Sequence, residues 1–256
     1  MNSTLTSCFC AVIASASALA PAHAMDKENE LFQGNRKGAM TVTVTNLTHA
    51  TWLAPILVAL HPTGYSGFTE GQPATAELQA VAEIGDIGPL ADSLPDGSLI
   101  VRNPAGGPLK PGGTVTARLP LSKDFANRRL SVFAMLVPTN DGFIGLNAID
   151  IPDKPGTYTY TLAAYDAGTE ANNEAAAAAA GINQPGMGLP PFLNDANGNA
   201  AAGIYPDAPG FAAAAAEGYV HVHRGIVGGP AGGESALEQS TYRWLNPVVR
   251  VTVTVK

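Results

Sequence analysis

Apolar and polar residues alternate strictly in several short stretches of the chain. Met40-Thr-Val-Thr-Val-Thr-Asn46 alternates at every position, as does the run from 249 to 255. A period of two places one set of side chains on a single strand face, so each run predicts a half-buried strand. Gly156-Thr-Tyr-Thr-Tyr-Thr-Leu162 predicts another, with Tyr158 and Tyr160 on one face. More continuously apolar runs at 53–61 and 129–137 predict strands buried on both sides, and Pro55 marks a bulge or an edge in the first. Shorter strands are expected at 98–102, 114–119, 143–149 and 219–223. One stretch breaks the period: Thr-Ala-Glu-Leu-Gln-Ala-Val-Ala-Glu at 75–83 groups Leu78, Val81 and Ala82 on a helical face, and Gly85 supplies the stop. No repeat of solenoid or propeller length recurs. The fold class expected is all-β: an antiparallel β-sandwich of about eight strands, with one short helix.

Between 170 and 217 the pattern fades into Ala, Gly, Asn and Pro. This reads as a long Ala/Gly-rich loop with a short helix at 174–180. Its low aromatic content favours mobility.

The first residues add a compartment. Leu5 to Ala20 is apolar or small, and Ala22-His23-Ala24 matches a signal-peptidase site, although no Lys or Arg precedes Ser7. The expected organisation is a signal peptide at 1–24, a polar leader at 25–39 and a β-sandwich domain at 40–256. A secreted or periplasmic protein follows, with no membrane insertion after cleavage. Cys8 and Cys10 are the only cysteines and both fall in the signal, which excludes a disulfide framework and a cysteine-ligated zinc. The formal net charge of −7 argues against nucleic acid and anionic membrane surfaces.

Candidate chemistry centres on two turns. Val137-Pro-Thr-Asn-Asp-Gly-Phe-Ile-Gly145 and Tyr165-Asp-Ala-Gly-Thr-Glu170 each follow a strand-like run and each place an aspartate at the break. Ca²⁺ takes six to eight oxygens from carboxylates, carbonyls and water, so Asp141 and Asp166 on neighbouring turns are candidate ligands. Each aspartate also fits an Asx turn that bonds its own backbone. A second constellation is His221-Val-His223, whose i, i+2 spacing could hold zinc or copper or could simply bond neighbouring loops. His61 is read as structural. Asp195-Ala-Asn-Gly-Asn199 imitates the start of a calcium loop, but Ala200 and Pro206 stand where Gly and Glu are needed. Asn46-Leu-Thr48 fits a glycosylation sequon. No hydrolase elbow, phosphate loop or dinucleotide fingerprint is present.

The stretch from Ser131 to Gly145 resembles the strand and turn of spondin domains, the F-spondin and mindin type, where the turn reads Pro-Ser-Pro-Asp-Trp-Phe-Val-Gly. Tyr165-Asp-Ala-Gly-Thr-Glu170 is similar to their aromatic-Asp-Ala-Gly-Thr-Asp, and the similarity extends from Thr41 to Val255. The resemblance implies an antiparallel sandwich with one structural Ca²⁺ at Asp141 and Asp166. Asp124 is the nearest counterpart of a third, glutamate ligand, though its spacing to Asp141 differs. Asn140 and Gly142 replace the Pro and Trp that flank the family aspartate, which is expected to loosen the turn. The function expected is an exported, non-enzymatic calcium-binding module for adhesion or recognition of a protein or glycan. The alternative is a zinc or copper enzyme built on His221 and His223.

Overall fold

The computed structural model describes residues 38–121, 128–177, 181–212 and 215–256. The expected signal and most of the leader, at 1–37, and Asp124 lie outside the described residues.

Two antiparallel sheets face each other. The first is built from β1 (Ala39–Asn46), β5 (Thr114–Pro120), β8 (Gly156–Leu162) and β11 (Val249–Val255), in the order β5-β1-β11-β8. The second contains β2 (Trp52–Leu53), β3 (Leu57–His61), β4 (Leu99–Arg102), β6 (Arg129–Val137), β7 (Gly142–Asp150), β9 (Ala164–Asp166) and β10 (His221–Val222). Its order is β10-β9-β7-β6-β3-β4, with β2 also paired to β6. The alternating strands behave as their period requires. Met40, Val42, Val44, Val249, Val251 and Val253 are fully buried against the second sheet, while the intervening threonines face outward. Pro55 interrupts the expected strand at 53–61 and leaves β2 and β3 on either side.

The second sheet is covered on its other face as well. Helix α1 (Ala76–Ile84) starts at Thr75, whose hydroxyl accepts from the Leu78 amide, and ends at Gly85 in the left-handed region. A short helix not foreseen, α2 (Gly88–Asp92), follows it. Leu78, Val81, Ala82 and Leu90 pack with Leu57, Phe133 and Phe143 into a second apolar cluster. β3 and β6 are therefore buried on both sides, which explains their continuous apolar sequence. A third short helix, α3 (Gln239–Tyr242), lies before β11. His61 is structural: its ring bonds Ser131 Oγ and the Pro62 carbonyl, where β6 bulges against β7.

The Ala/Gly-rich excursion differs from expectation. Residues 174–177 are not helical; Ala176 bridges to Met187 instead. Ile204 bridges to Leu237, and Met187, Leu193 and Ile204 are buried in the sandwich core. A few well-spaced apolar anchors and backbone pairs position this segment, so its poverty in aromatics does not leave it detached. Asn46 is fully buried, with its amide donating to the Thr51 and Leu109 carbonyls. In the folded chain its amide nitrogen is committed to packing, not offered to solvent.

Candidate metal centre

Two neighbouring strand ends deliver the aspartates. The turn between β6 and β7 is closed by Thr139, whose hydroxyl donates to the Leu136 carbonyl at 2.5 Å and accepts from the Gly142 amide at 3.0 Å. A Cβ on Gly142 would stand 2.7 Å from that hydroxyl, so the glycine allows a tight turn. The expectation of a loosened turn is thus corrected: Thr139 closes it, and Thr139, Asn140 and Asp141 are all buried. Gly142 pairs with Asp166 across β7 and β9, and the Ala167 amide donates to the Asp141 carbonyl. Both aspartates are completely buried.

Their hydrogen bonds are unequal. Asp141 Oδ2 accepts from the Thr169 amide (2.7 Å), the Thr169 hydroxyl (3.2 Å) and the Glu170 amide (3.0 Å). Asp141 Oδ1 has no partner. Asp166 Oδ1 accepts from the Gly168 amide (2.8 Å) and Oδ2 from the Asn172 amide group (2.6 Å). Gly168 is in the left-handed region, and a Cβ there would fall 2.3 Å from the Tyr219 carbonyl oxygen. That close approach draws the segment before β10 onto the Asp166 turn.

Asn140 secures the excursion over this turn. Its amide group donates to Glu170 Oε2 (3.3 Å) and Asn173 Oδ1 (3.0 Å), and its carbonyl oxygen accepts from the Glu174 amide (3.3 Å). Glu174 in turn accepts from Val227 N, Gly228 N and Ser235 Oγ at 2.6–2.8 Å. Asn140→Ala is expected to cost about 2–3 kcal/mol in urea unfolding, because it strands buried groups on Glu170 and Glu174 and a half-buried one on Asn173. A loss below about 0.5 kcal/mol would show that the latch carries no stability.

The electrostatics at this end are one-sided. Glu83, Asp141, Asp166, Glu170 and Glu174 are all buried. Among the described residues none pairs with lysine or arginine; the arginine ion pairs go to the exposed Asp92, Asp150 and Asp153. Burial, reinforced by the Asp166 charge, pushes the Asp141 carboxyl up to about 7 against its three donors. Burial also pushes Glu170 up to about 7, with Asn140 opposing and the charges of Glu83 and Asp141 adding. Buried carboxylates without a cationic partner are costly, and an orphaned oxygen on one of them fits a bound cation. Oxygen donors of this kind suit a hard ion such as Ca²⁺.

The two histidines do not form one site. His223 is buried, its Nδ1 accepts from the Gly225 amide at 2.9 Å, and its ring packs on Trp244. Burial, aided by the charges of His221 and Arg224, lowers it to about 4. His221 instead approaches Asp166, its register partner across β9 and β10, together with Glu217. Glu217 was not foreseen. Its only sequence signal is the i, i+4 spacing to His221, which carries no meaning until the backbone path is known.

An antiparallel sandwich that brings two buried aspartates to adjacent turns at one end defines a β-sandwich module with a carboxylate site. The family model Spondin_N matches residues 45–181, or 137 of the 256 residues, and includes both turns. The chain belongs to the spondin N-terminal domain family. The match is shorter than the 41–255 span of the expected similarity. No curated protein matches the chain. No helix among the described residues is long and apolar enough to cross a membrane.

Proposed function

We propose that this protein is an exported, non-enzymatic spondin-type recognition module that holds one structural Ca²⁺ at Asp141 and Asp166. The observation that carries this reading is the pair of fully buried carboxylates on adjacent turns, one oxygen of which has no partner. Asp124 is the proposed third carboxylate, on sequence grounds. A bound cation would neutralise this acidic end and fix the 138–141 and 167–170 turns relative to each other. The surrounding loops would then present a constant surface to a protein or glycan, and adhesion or ligand recognition outside the cytoplasm is the function that follows. The candidate chemistry needs no open coordination position for activating water.

Calorimetric titration of the full chain with Ca²⁺ tests the reading. Saturable binding of one ion, lost in Asp166→Ala while the variant stays folded, is the expected result. Unchanged Ca²⁺ binding in that variant would remove the site from this end of the sandwich.

A further inference from the structure

A nitrogen donor stands beside Asp166, on the side where β10 pairs. His221 Nδ1 lies 3.0 Å from the Val222 carbonyl, an acceptor, so this nitrogen carries the proton. Nε2 then presents its lone pair. It is buried, has no hydrogen-bond partner, and lies 3.6 Å from Asp166 Oδ1 and 3.9 Å from Glu217 Oε1. The ligand atoms of all three side chains fall within 4.8 Å of one another. Glu217 Oε2 is also buried without a partner.

The spacing distinguishes an ion pair from a ligand set. An imidazolium bonded to a carboxylate closes to about 2.7–2.9 Å. Two ligand atoms each about 2.1 Å from a tetrahedral Zn²⁺ stand about 3.4 Å apart. The two nitrogen–oxygen separations here, 3.6 and 3.9 Å, are nearer the second value, and both carboxylates are held off from the ring.

We propose that Asp166, Glu217 and His221 form a binding site for a transition-metal dication of the Zn²⁺ class. A nitrogen and two carboxylate oxygens suit Zn²⁺ better than Ca²⁺, which takes oxygen alone. The site shares Asp166 with the proposed calcium site but uses neither Asp141 nor its turn. Glu217 and His221 also lie beyond residues 45–181, the span matched by the family model. Of the three side chains, Glu217 also lines a cavity of about 280 Å³, together with Arg224 and Asn172, whose amide group holds Asp166 Oδ2.

The test is a titration of the purified full chain with Zn²⁺, and with Co²⁺ read by its visible absorption. Four proteins are compared: the parent, His221→Ala, Glu217→Gln and Asp141→Asn. Each is checked for folding by circular dichroism. The parent and Asp141→Asn bind Zn²⁺ alike, and Co²⁺ gives a nitrogen–oxygen spectrum. His221→Ala weakens Zn²⁺ by about 100-fold or more, since even partners outside the ligand shell cost 10–100-fold. Glu217→Gln weakens it in the same direction. Ca²⁺ affinity separates this proposal from the previous one: it survives in His221→Ala and falls in Asp141→Asn. Absence of Zn²⁺ binding in the parent overturns the site, and so does binding indifferent to both His221→Ala and Glu217→Gln.

Discussion

Glu174→Ala is expected to destabilise the protein by about 3–5 kcal/mol, the largest loss from any single side chain outside the apolar core. Glu174 is buried and its carboxylate is the acceptor for two backbone amides, Val227 and Gly228, and for the Ser235 hydroxyl. Removing it leaves the half-buried Val227 and Gly228 amides without this acceptor and the Ser235 hydroxyl with the Leu237 carbonyl alone, at 3.2 Å. An unmet buried donor costs about 1–3 kcal/mol, and partial relaxation lowers the sum. Its own amide bonds Asn140 and its carbonyl accepts from Ala236, so the residue ties the excursion to both the Asn140–Asp141 turn and the C-terminal segment. Glu174→Gln keeps one acceptor oxygen and is expected to recover roughly half of the loss. Urea unfolding of the three proteins measures this. A loss below about 1 kcal/mol for Glu174→Ala would mean that the excursion is held by its apolar anchors alone.

Asp141→Asn is expected to change the sign of its effect with the metal. Without a cation, the parent buries two adjacent carboxylates, and Asp141 Oδ1 has no donor. Asparagine keeps an oxygen for Thr169 and Glu170 and carries no charge, which removes the repulsion with Asp166. In chelator near pH 8 the variant should therefore be more stable than the parent, by about 2 kcal/mol. In Ca²⁺ the order reverses, because the parent gains binding energy that asparagine forfeits. The pH dependence has the same origin. The Asp141 carboxyl is raised from 3.8 to about 7, so its penalty is fully present above the folded value and vanishes below the unfolded one. Metal-free parent protein should gain stability as pH falls from about 8 toward 5, and Asp141→Asn should flatten that slope. If aspartate is the more stable residue in chelator, Asp141 is a turn-capping group and the cation reading fails.

The parts of this structure legible in the sequence are those where one face meets solvent. β1, β8 and β11 alternate because threonine faces water while valine, or tyrosine in β8, takes the inner face. β6 does not alternate, and nothing in its run of apolar residues separates those facing the first sheet from Phe133, which faces the helices. The three-layer arrangement was therefore hidden. β2 and β10, each two residues long, are too short for a period to register. The fold class and the family were still readable, because turn punctuation and the two aspartate motifs are local.

The candidate site divides in the same way. Asp141 and Asp166 were visible as aspartates at strand ends, and the β7–β9 register explains why they meet. Asn140 was misjudged as loosening its turn, because its three partners come from residues 170–174, more than thirty positions away for two of them. His221 was paired with the wrong neighbour. Strand spacing placed it with His223, but β10 ends at Val222, His223 turns inward onto Trp244, and the β9 register gives His221 to Asp166. Glu217 reaches the cluster only through the close approach of Gly168 to the 218–219 backbone, a contact no local pattern encodes.

The central claim, a cation held at Asp141 and Asp166, is tested most directly by thermal unfolding of the full chain in excess Ca²⁺ and in chelator. A site filled at about a hundred times its dissociation constant adds about 2.7 kcal/mol, which raises the midpoint of a domain this size by roughly 5–10 °C. The account predicts that rise in the parent and its disappearance in Asp166→Ala. Coincident unfolding curves with and without saturating Ca²⁺ would contradict it.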